Sequence, residues 1–264
     1  MKKAVKLAFD SLQEMSNWIS TTPRTKRGEE LQKSTKITSF RNSFTGTASF
    51  DEADNLMKYG DEDNAKKIQL ASANVKAKTT PGESNRNRLY RSPCGFLPIV
   101  PCVLSGVPEN MLAIRKEAYK NTKIINIVYN VTAGYSVEAD EIIEVSAKVA
   151  CAIKTLEKNG YRVNLYLACV CGVNSKTVCI TVKTKDSGQY FDTLRAAYPL
   201  VNPSFLRRHL SAVLERIKEI QLPSGYGKVL SDEDAQKYLG AEAKYLSFYK
   251  CRYMNVNGIL KEFE

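Results

Sequence analysis

The 264-residue chain has a single histidine and a single tryptophan. A catalytic triad needs a histidine beside a nucleophile, with a third group to orient the ring. His209 sits on a helical stretch next to Leu210, and no such pattern surrounds it in sequence. It reads as a structural or half-exposed histidine. No apolar run approaches the ~20 residues that a membrane span requires. The opening MKKAVKLAFDSLQEM starts like a signal peptide, but Asp10 and Glu14 interrupt the apolar region and no small-residue cleavage site follows. The seven cysteines form no CxxC knuckles. Cys169 and Cys171 share one side of a strand, yet with one histidine in the chain the donor set for zinc is thin. Free, packed thiols in a reducing compartment are expected, with no metal and no cofactor. A glycine-rich phosphate loop is missing too. The turn Thr132-Ala133-Gly134-Tyr135-Ser136 lacks both the dinucleotide glycines and a Gly-Lys-Ser/Thr. Glu138, Asp140 and Glu141 behind it would repel phosphate.

What the chain does have is positive charge, +11 formally. That favours polyanionic partners, DNA or RNA. Residues 1–50 carry nine basic and four acidic groups; residues 151–200 carry seven and three. Two basic arms stand out. Arg24, Lys26 and Arg27 lie in a polar stretch with Pro and Gly. Lys76, Lys78, Arg86, Arg88 and Arg91 surround a Pro-Gly turn, with Tyr90 among them. Basic groups interleaved with an aromatic can neutralise phosphates and stack on a base; a solvated loop has the same composition. The sequence selects no catalytic residue. Glu138, Asp186 and Asp192 are carboxylates near strand ends, but no spacing rule picks them out.

The organising stretch is Ile124–Gly160. The β-branched run Ile124–Val131 reads as a strand buried on both faces. Ser136 is the expected cap of the next helix, whose stripe includes Ile142, Val145, Val149, Ile153 and Leu156; Asn159-Gly160 ends it. A second apolar run, Tyr161–Val173, completes a β-α-β unit. Asn174-Ser175 then turns into Thr177–Thr184, an antiparallel strand. Elsewhere a helix is expected over 3–19. A capping box at Ser49 and Glu52 precedes a short helix that Gly60 ends, and a further helix runs from Glu62 to about Val75. Phe96–Leu104, with two prolines, is expected to be extended, Gly106–Tyr119 helical, and Asn202-Pro203 the start of a long helix to about Ile220. Ser231 and Asp234 cap a short helix. Tyr245–Met254 is strand-like, with a hairpin turn at Asn257-Gly258.

The order strand, turn, amphipathic helix, strand, antiparallel strand, helix over 120–220 resembles von Willebrand factor A domains. These carry Asp-x-Ser-x-Ser after the first strand and bind magnesium there. The matching positions are Asn130, Thr132 and Gly134. The carboxylate has become an amide and one hydroxyl is missing, so the resemblance implies the fold and not the metal. FTGTASFDEADNLMKYG, VPCVLSGVPENMLAIRKEAYK and the β-α-β unit, with Gly46, Ser49-Phe50, Glu52-Ala53, Gly60, Pro101, Gly106, Pro108 and Met111, are similar to a family of uncharacterised bacteriophage proteins. That resemblance implies a viral source, in the host cytoplasm or the virion.

The expected fold is α/β: a mostly parallel sheet with one antiparallel strand and helices on both faces, von Willebrand A-like or Rossmann-like. Residues 1–95 supply helices and basic loops around the core, 96–225 the core, and 226–264 a helix and hairpin-like tail. The leading function is a non-catalytic protein that engages nucleic acid through its basic arms, with no membrane. The alternative is a protein-interaction module using the turn at Asn130, Thr132, Gly134 and Ser136 and the aromatic C-terminal tail. An enzyme with a carboxylate site is the third reading.

Overall fold

The computed structural model describes residues 4–35, 44–73, 88–115, 123–223, 225–240 and 242–263. Its strands are β1 (Ala4–Phe9), β2 (Arg88–Ser92), β3 (Leu97–Pro98), β4 (Met111–Arg115), β5 (Ile124–Asn130), β6 (Arg162–Val173), β7 (Lys176–Lys185), β8 (Lys228–Val229) and β9 (Lys244–Ser247). A central sheet has the order β1-β7-β6-β5-β9, with β8 pairing at the end of β6; β2-β4-β3 form a second sheet.

The β-α-β unit builds the central sheet. β5 and β6 pair in parallel from Ile124↔Arg162 to Asn130↔Ala168. The helix Ala139–Lys158 between them buries Ile142, Val145, Val149, Ile153 and Leu156 against the sheet. The helices Glu62–Ala73, Thr193–Val201 and Val256–Lys261 pack around that helix. Ile125, Ile127 and Tyr129 of β5, with Val163, Leu165 and Leu167 of β6, supply the sheet side of this main core. Strand alternation sends Val128, Ala168, Val170 and Cys179 to the other face, where Ala235 and Leu239 cover them. Helices therefore lie on both faces, and one layer is much thicker than the other.

Several expectations change. Residues 3–19 do not form one helix: β1 joins β7 in parallel, and a helix follows at Leu12–Thr21. Val5, Leu7 and Phe9 alternate with Lys6 and Ala8, a period-2 pattern that the helical stripe overlaps. The break is marked locally, because the Glu14 amide donates to Ser11 Oγ and the Asp10 amide to the Glu14 carboxylate, a capping arrangement. The sheet thus contains two long strands, β1 and β7, opposed to β5, β6 and β9, rather than one. Gly106–Arg115 is not helical, since Met111–Arg115 is β4, and 116–119 lie outside the described residues; Phe96–Leu104 is not fully extended, since Val100–Leu104 is a short helix with Pro101 in its first turn. The long helix after Pro203 is a π-helical turn, Phe205–Leu210, running into Ser211–Leu214. The Asn257-Gly258 hairpin is instead the start of the helix Val256–Lys261, capped by Asn255, and Tyr245–Met254 splits into β9 and the helix Phe248–Arg252. Glu138, not Ser136, occupies the cap position of the long helix. The Ser49–Glu52 and Ser231–Asp234 caps form as expected.

All seven cysteines are free, and Cys151, Cys169, Cys171, Cys179 and Cys251 are buried. Burial pushes the Cys179 thiol up to about 11 and the Cys251 thiol up to about 12, which keeps both protonated and unreactive at neutral pH.

A buried ion pair locks the end of β7 to the long helix. Lys185 Nζ lies 2.5 Å from the Glu157 carboxylate and donates to the Val163 and Asp186 carbonyls at 3.0 Å. The same carboxylate accepts the Phe191 amide at 2.9 Å. Removing one partner strands a buried charge, at a cost of about 3–5 kcal/mol. Lys185→Met should therefore lower stability by that order, and Lys185→Met/Glu157→Gln should lose less. Urea unfolding of the two variants measures this; a double variant less stable than Lys185→Met would show that the groups do not act as a pair.

Candidate functional site

In an open α/β sheet the ligand crevice lies beyond the carboxyl ends of the strands where the order reverses. Here that position is between β5 and β9, at Asn130–Ser136. Side chains from the C-terminal segment fill it. Asn130 Oδ1 accepts from the Thr132 amide at 3.2 Å and from Thr132 Oγ1 at 2.6 Å. Asn130 Nδ2 donates to the Tyr245 hydroxyl at 3.1 Å, which donates to Asp232 at 3.0 Å. The Val170 amide donates to Thr132 Oγ1 at 3.0 Å, and the Gly134 amide to the Tyr249 hydroxyl at 2.9 Å. Asn130 and Thr132 are buried, Gly134 is half-buried, and Ser136 with Tyr135 is exposed. The first two tie strand ends together; sequence reading missed Tyr245 and Tyr249, which close the turn from 115 residues away. Among the described residues, no cluster of three His, Cys, Asp or Glu could hold a metal.

Among the described residues, the arginines of the first basic arm are engaged within the chain. Arg24 Nε lies 2.7 Å from Glu215, and Arg27 binds the Leu222 and Pro223 carbonyls and Glu30. Both staple the helix Lys26–Thr35 to residues 215–223. Gly28 makes that contact close, since a Cβ there would sit 2.3 Å from the Glu215 carbonyl oxygen. Lys26 is exposed. Lys76, Lys78 and Arg86 lie outside the described residues. Arg88 begins β2, and Tyr90 and Arg91 are exposed on it. Of the site carboxylates, Asp186 binds Lys183 and the Gly188 amide, and Asp192 caps the helix Thr193–Val201; Glu138 is exposed at the head of the long helix.

His209 is fully buried and has two partners that sequence did not reveal. Nδ1 lies 2.7 Å from the Tyr198 hydroxyl and Nε2 lies 2.9 Å from Asp54. Burial holds the Tyr198 phenol well above its usual range, so it keeps its proton. A phenol donating to Nδ1 leaves Nε2–H to donate to Asp54, and one neutral tautomer satisfies the whole chain. Asp54 and His209 line a cavity of about 260 Å³ with Ser16, Arg24 and Arg216. Acid, imidazole and hydroxyl stand in the order of a catalytic relay. The hydroxyl at its end, however, is Tyr198, completely buried, so it cannot meet a substrate. With both ring nitrogens engaged, none is free to activate Ser16 or Ser20. The group is a latch. Arg207, Arg208 and His209, in succession on the π-turn, bind Phe44, Thr45, Thr47 and Asp54.

The feature that stands apart is residues 88–115. Gly95 lets the β2–β3 turn lie against β4, where a Cβ would be 2.1 Å from the Leu112 carbonyl oxygen. Sixteen large hydrophobic side chains are exposed among the described residues, and nine come from this stretch. Leu104 is 83% exposed, Phe96 60% and Val100 59%. Register and alternation put Leu89, Leu97, Leu112 and Ile114 on one face, and Tyr90, Met111 and Ala113 on the other. Among the described residues neither core cluster takes a member from 88–115. Its hydrogen bonds close within the unit, such as Phe96 N to Leu112 O at 2.9 Å and Ile99 N to Asn110 O at 2.8 Å. No charged residue occurs from Ser92 to Pro108. In sequence, residues 76–123 hold nine basic and three acidic groups, a net +6 that counting in blocks of fifty conceals.

The chain belongs to a family described as a domain of unknown function, DUF7192, whose model matches residues 2–263. The matched span runs through the 88–115 unit as well as the central sheet. No curated protein and no solved structure matches the chain. No helix among the described residues is long and apolar enough to cross a membrane.

The latch has a pH signature. The hydrogen bond from His209 holds the Asp54 carboxyl below its usual range, against the opposing effect of burial. A depressed carboxyl contributes stability above its unfolded pKa of about 4, and that contribution disappears as pH falls through the folded value. Asp54→Asn should therefore be less stable than the parent at pH 7, with the gap closing below about pH 4. Thermal melts across that range measure it; a gap constant with pH would mean the carboxylate charge has no part in the latch.

Proposed function

We propose that this protein is a non-catalytic protein-interaction module that docks through the apolar unit 88–115. The observation that carries this is the concentration of exposed aliphatic and aromatic side chains on a unit that shares no core with the rest of the described structure. Exposed apolar side chains concentrated in one unit in this way point to an interaction site. The other candidates support it by elimination. The basic side chains Arg24 and Arg27 are spent on internal contacts, the Asn130–Thr132 turn is closed by tyrosines, and the histidine chain ends on a buried phenol.

The succession β5, turn, helix, β6, reversed β7, helix supports a von Willebrand A-like core as the scaffold. The likeness to bacteriophage proteins supports a partner in an infected cell or a virion. Nucleic-acid binding through Lys76, Lys78, Arg86, Arg88 and Arg91 is the second reading, favoured by the net +6 over residues 76–123 in sequence; it requires affinity that falls steeply with salt.

The test is affinity capture from the infected host with the full chain and with Val100→Asp/Leu104→Asp. These side chains face solvent, so the variant should melt with the parent while losing the captured protein. A captured protein retained by the variant would sink the docking reading. Salt-sensitive binding of both chains to DNA or RNA in its place would favour the second.

A further inference from the structure

The cavity beside the His209 latch carries charges that the protein does not itself match, and it stands independently of the docking reading above. Its walls come from three stretches of chain. Ser16, Ile19 and Ser20 share one side of the helix Leu12–Thr21, and Arg24 follows that helix. Phe50 and Asp54 lie one turn apart on the helix Phe50–Tyr59, and His209 and Arg216 come from the π-turn and the segment after it. At about 260 Å³ the cavity is smaller than the sites that hold drug-sized molecules, so its occupant is small.

Two guanidiniums meet here at one carboxylate oxygen. Arg24 Nε lies 2.7 Å from Glu215 Oε2, and Arg216 Nη1 lies 3.8 Å from the same atom. The other Glu215 oxygen accepts from the neutral Tyr226 hydroxyl at 2.7 Å. One negative charge therefore serves two positive ones. Burial first, and then the Arg24 charge, hold the Arg216 guanidinium below its ordinary pKa. The Arg216 side chain is only 7% exposed and is fixed in place. Its Nε donates to the Ile19 and Thr22 carbonyls and its Nη1 to the Ala212 carbonyl. Arg216 Nη2 makes no hydrogen bond among the described residues, and Arg24 uses only its Nε. Asp54 is the negative pole. Its Oδ1 accepts from His209 Nε2 at 2.9 Å, and its Oδ2 has no hydrogen-bond partner among the described residues. The donor is the neutral imidazole of the Tyr198–His209 chain, so no cation pairs with the carboxylate there. No ion pair joins Asp54 to either arginine.

We infer that this cavity binds a small zwitterion of the amino-acid class, its carboxylate on Arg24 and Arg216 and its ammonium on Asp54. A guanidinium edge offers a carboxylate two parallel donors. Ile19 and Phe50 supply apolar wall for the carbon chain between the charged ends. Other small ions leave a pole unmet. A simple carboxylate leaves Asp54 without a cation, and a simple amine meets two arginines. Phosphate or a dicarboxylate sets its second charge against Asp54. The latch then has a second role, because His209 fixes Asp54 by one oxygen and leaves the other for the ligand.

The experiment titrates the full chain with glycine, β-alanine, γ-aminobutyrate and ε-aminohexanoate, and with butyrate, butylammonium and succinate as controls. Two-dimensional NMR follows binding and locates it. The best of the zwitterions should bind saturably, at least about tenfold more tightly than any control, since each control loses a charge-assisted contact. The amide signals of Ser16, Ser20, Arg24 and Asp54 should move. Asp54→Asn should remove the preference over butyrate while butyrate binds at least as tightly as to the parent, a result that unfolding cannot produce. Arg24→Gln should weaken the zwitterion and butyrate alike, by about tenfold. Absence of saturable binding by every zwitterion, binding of a control as tight as the best zwitterion, or signal changes confined to other parts of the chain overturns the proposal. So does a folded Asp54→Asn that keeps the preference. The titrations of the parent decide the matter even where a variant fails to fold. None of these outcomes bears on docking, because Val100 and Leu104 lie in another unit.

Discussion

Burial of one face of β5 and β6 beneath the helix Ala139–Lys158 is the packing on which every other contact in the central body depends. Ile127, Tyr129, Leu165 and Leu167 are essentially inaccessible there, and the helix answers with Val149 and Ile153. Each such side chain is worth roughly 1.5–3 kcal/mol when fully removed from water. Parallel strands cannot be joined by a tight turn, so the crossover helix is obligatory and the pairing of β5 with β6 follows from it. Once that layer exists, the hairpin adds β7, β7 offers an edge to β1, and β5 offers its other edge to β9. The sheet is thus assembled from chain segments as far apart as Ala4 and Ser247.

Polar groups fix how the outer elements sit on this frame. Arg207, Arg208 and His209 project from a π-turn, a geometry that sends three consecutive side chains toward the 44–54 segment. Arg216 does the same for the end of the helix Leu12–Thr21, its Nε donating to the Ile19 and Thr22 carbonyls at 2.8 and 2.9 Å. Burial lowers both the Arg207 and Arg216 guanidinium pKa values, to about 10 for Arg207, and both remain charged at neutral pH. Charged donors on backbone carbonyls make stronger hydrogen bonds than neutral ones. Positive charge that looks like a phosphate-binding asset in the sequence is here used to hold the molecule's own backbone.

The unit 88–115 obeys a different logic. The central body sequesters its apolar side chains, whereas this unit displays them on both faces of a three-stranded sheet. A sheet that small gains independent stability from an apolar face packed against something. Its apolar side chains stay exposed because the rest of the described chain does not cover them.

The β-α-β unit, the β6–β7 hairpin, the Ser49 and Ser231 caps and the buried free cysteines were all legible in sequence. Each is written in residues adjacent along the chain: an unbroken β-branched run, a 3.6-residue stripe, a turn at Asn174-Ser175. The strand β1 was not legible, because six residues that alternate also fit a helical stripe, and only the free edge of β7 selects between the two. The same holds for the strand β4. The partners of His209 were hidden for a plainer reason: Asp54 lies 155 residues away, and spacing in sequence carries no information about such a pair. Tyr245 and Tyr249 at the Asn130 turn, and Glu215 beneath Gly28, are equally remote. Sequence by itself determined which segments would be strand, helix and turn wherever local pattern and tertiary demand agree. Tertiary structure alone decided which charges are spent internally, which turn is closed, and which apolar run stays in the open, because those outcomes depend on what the fold brings alongside each side chain.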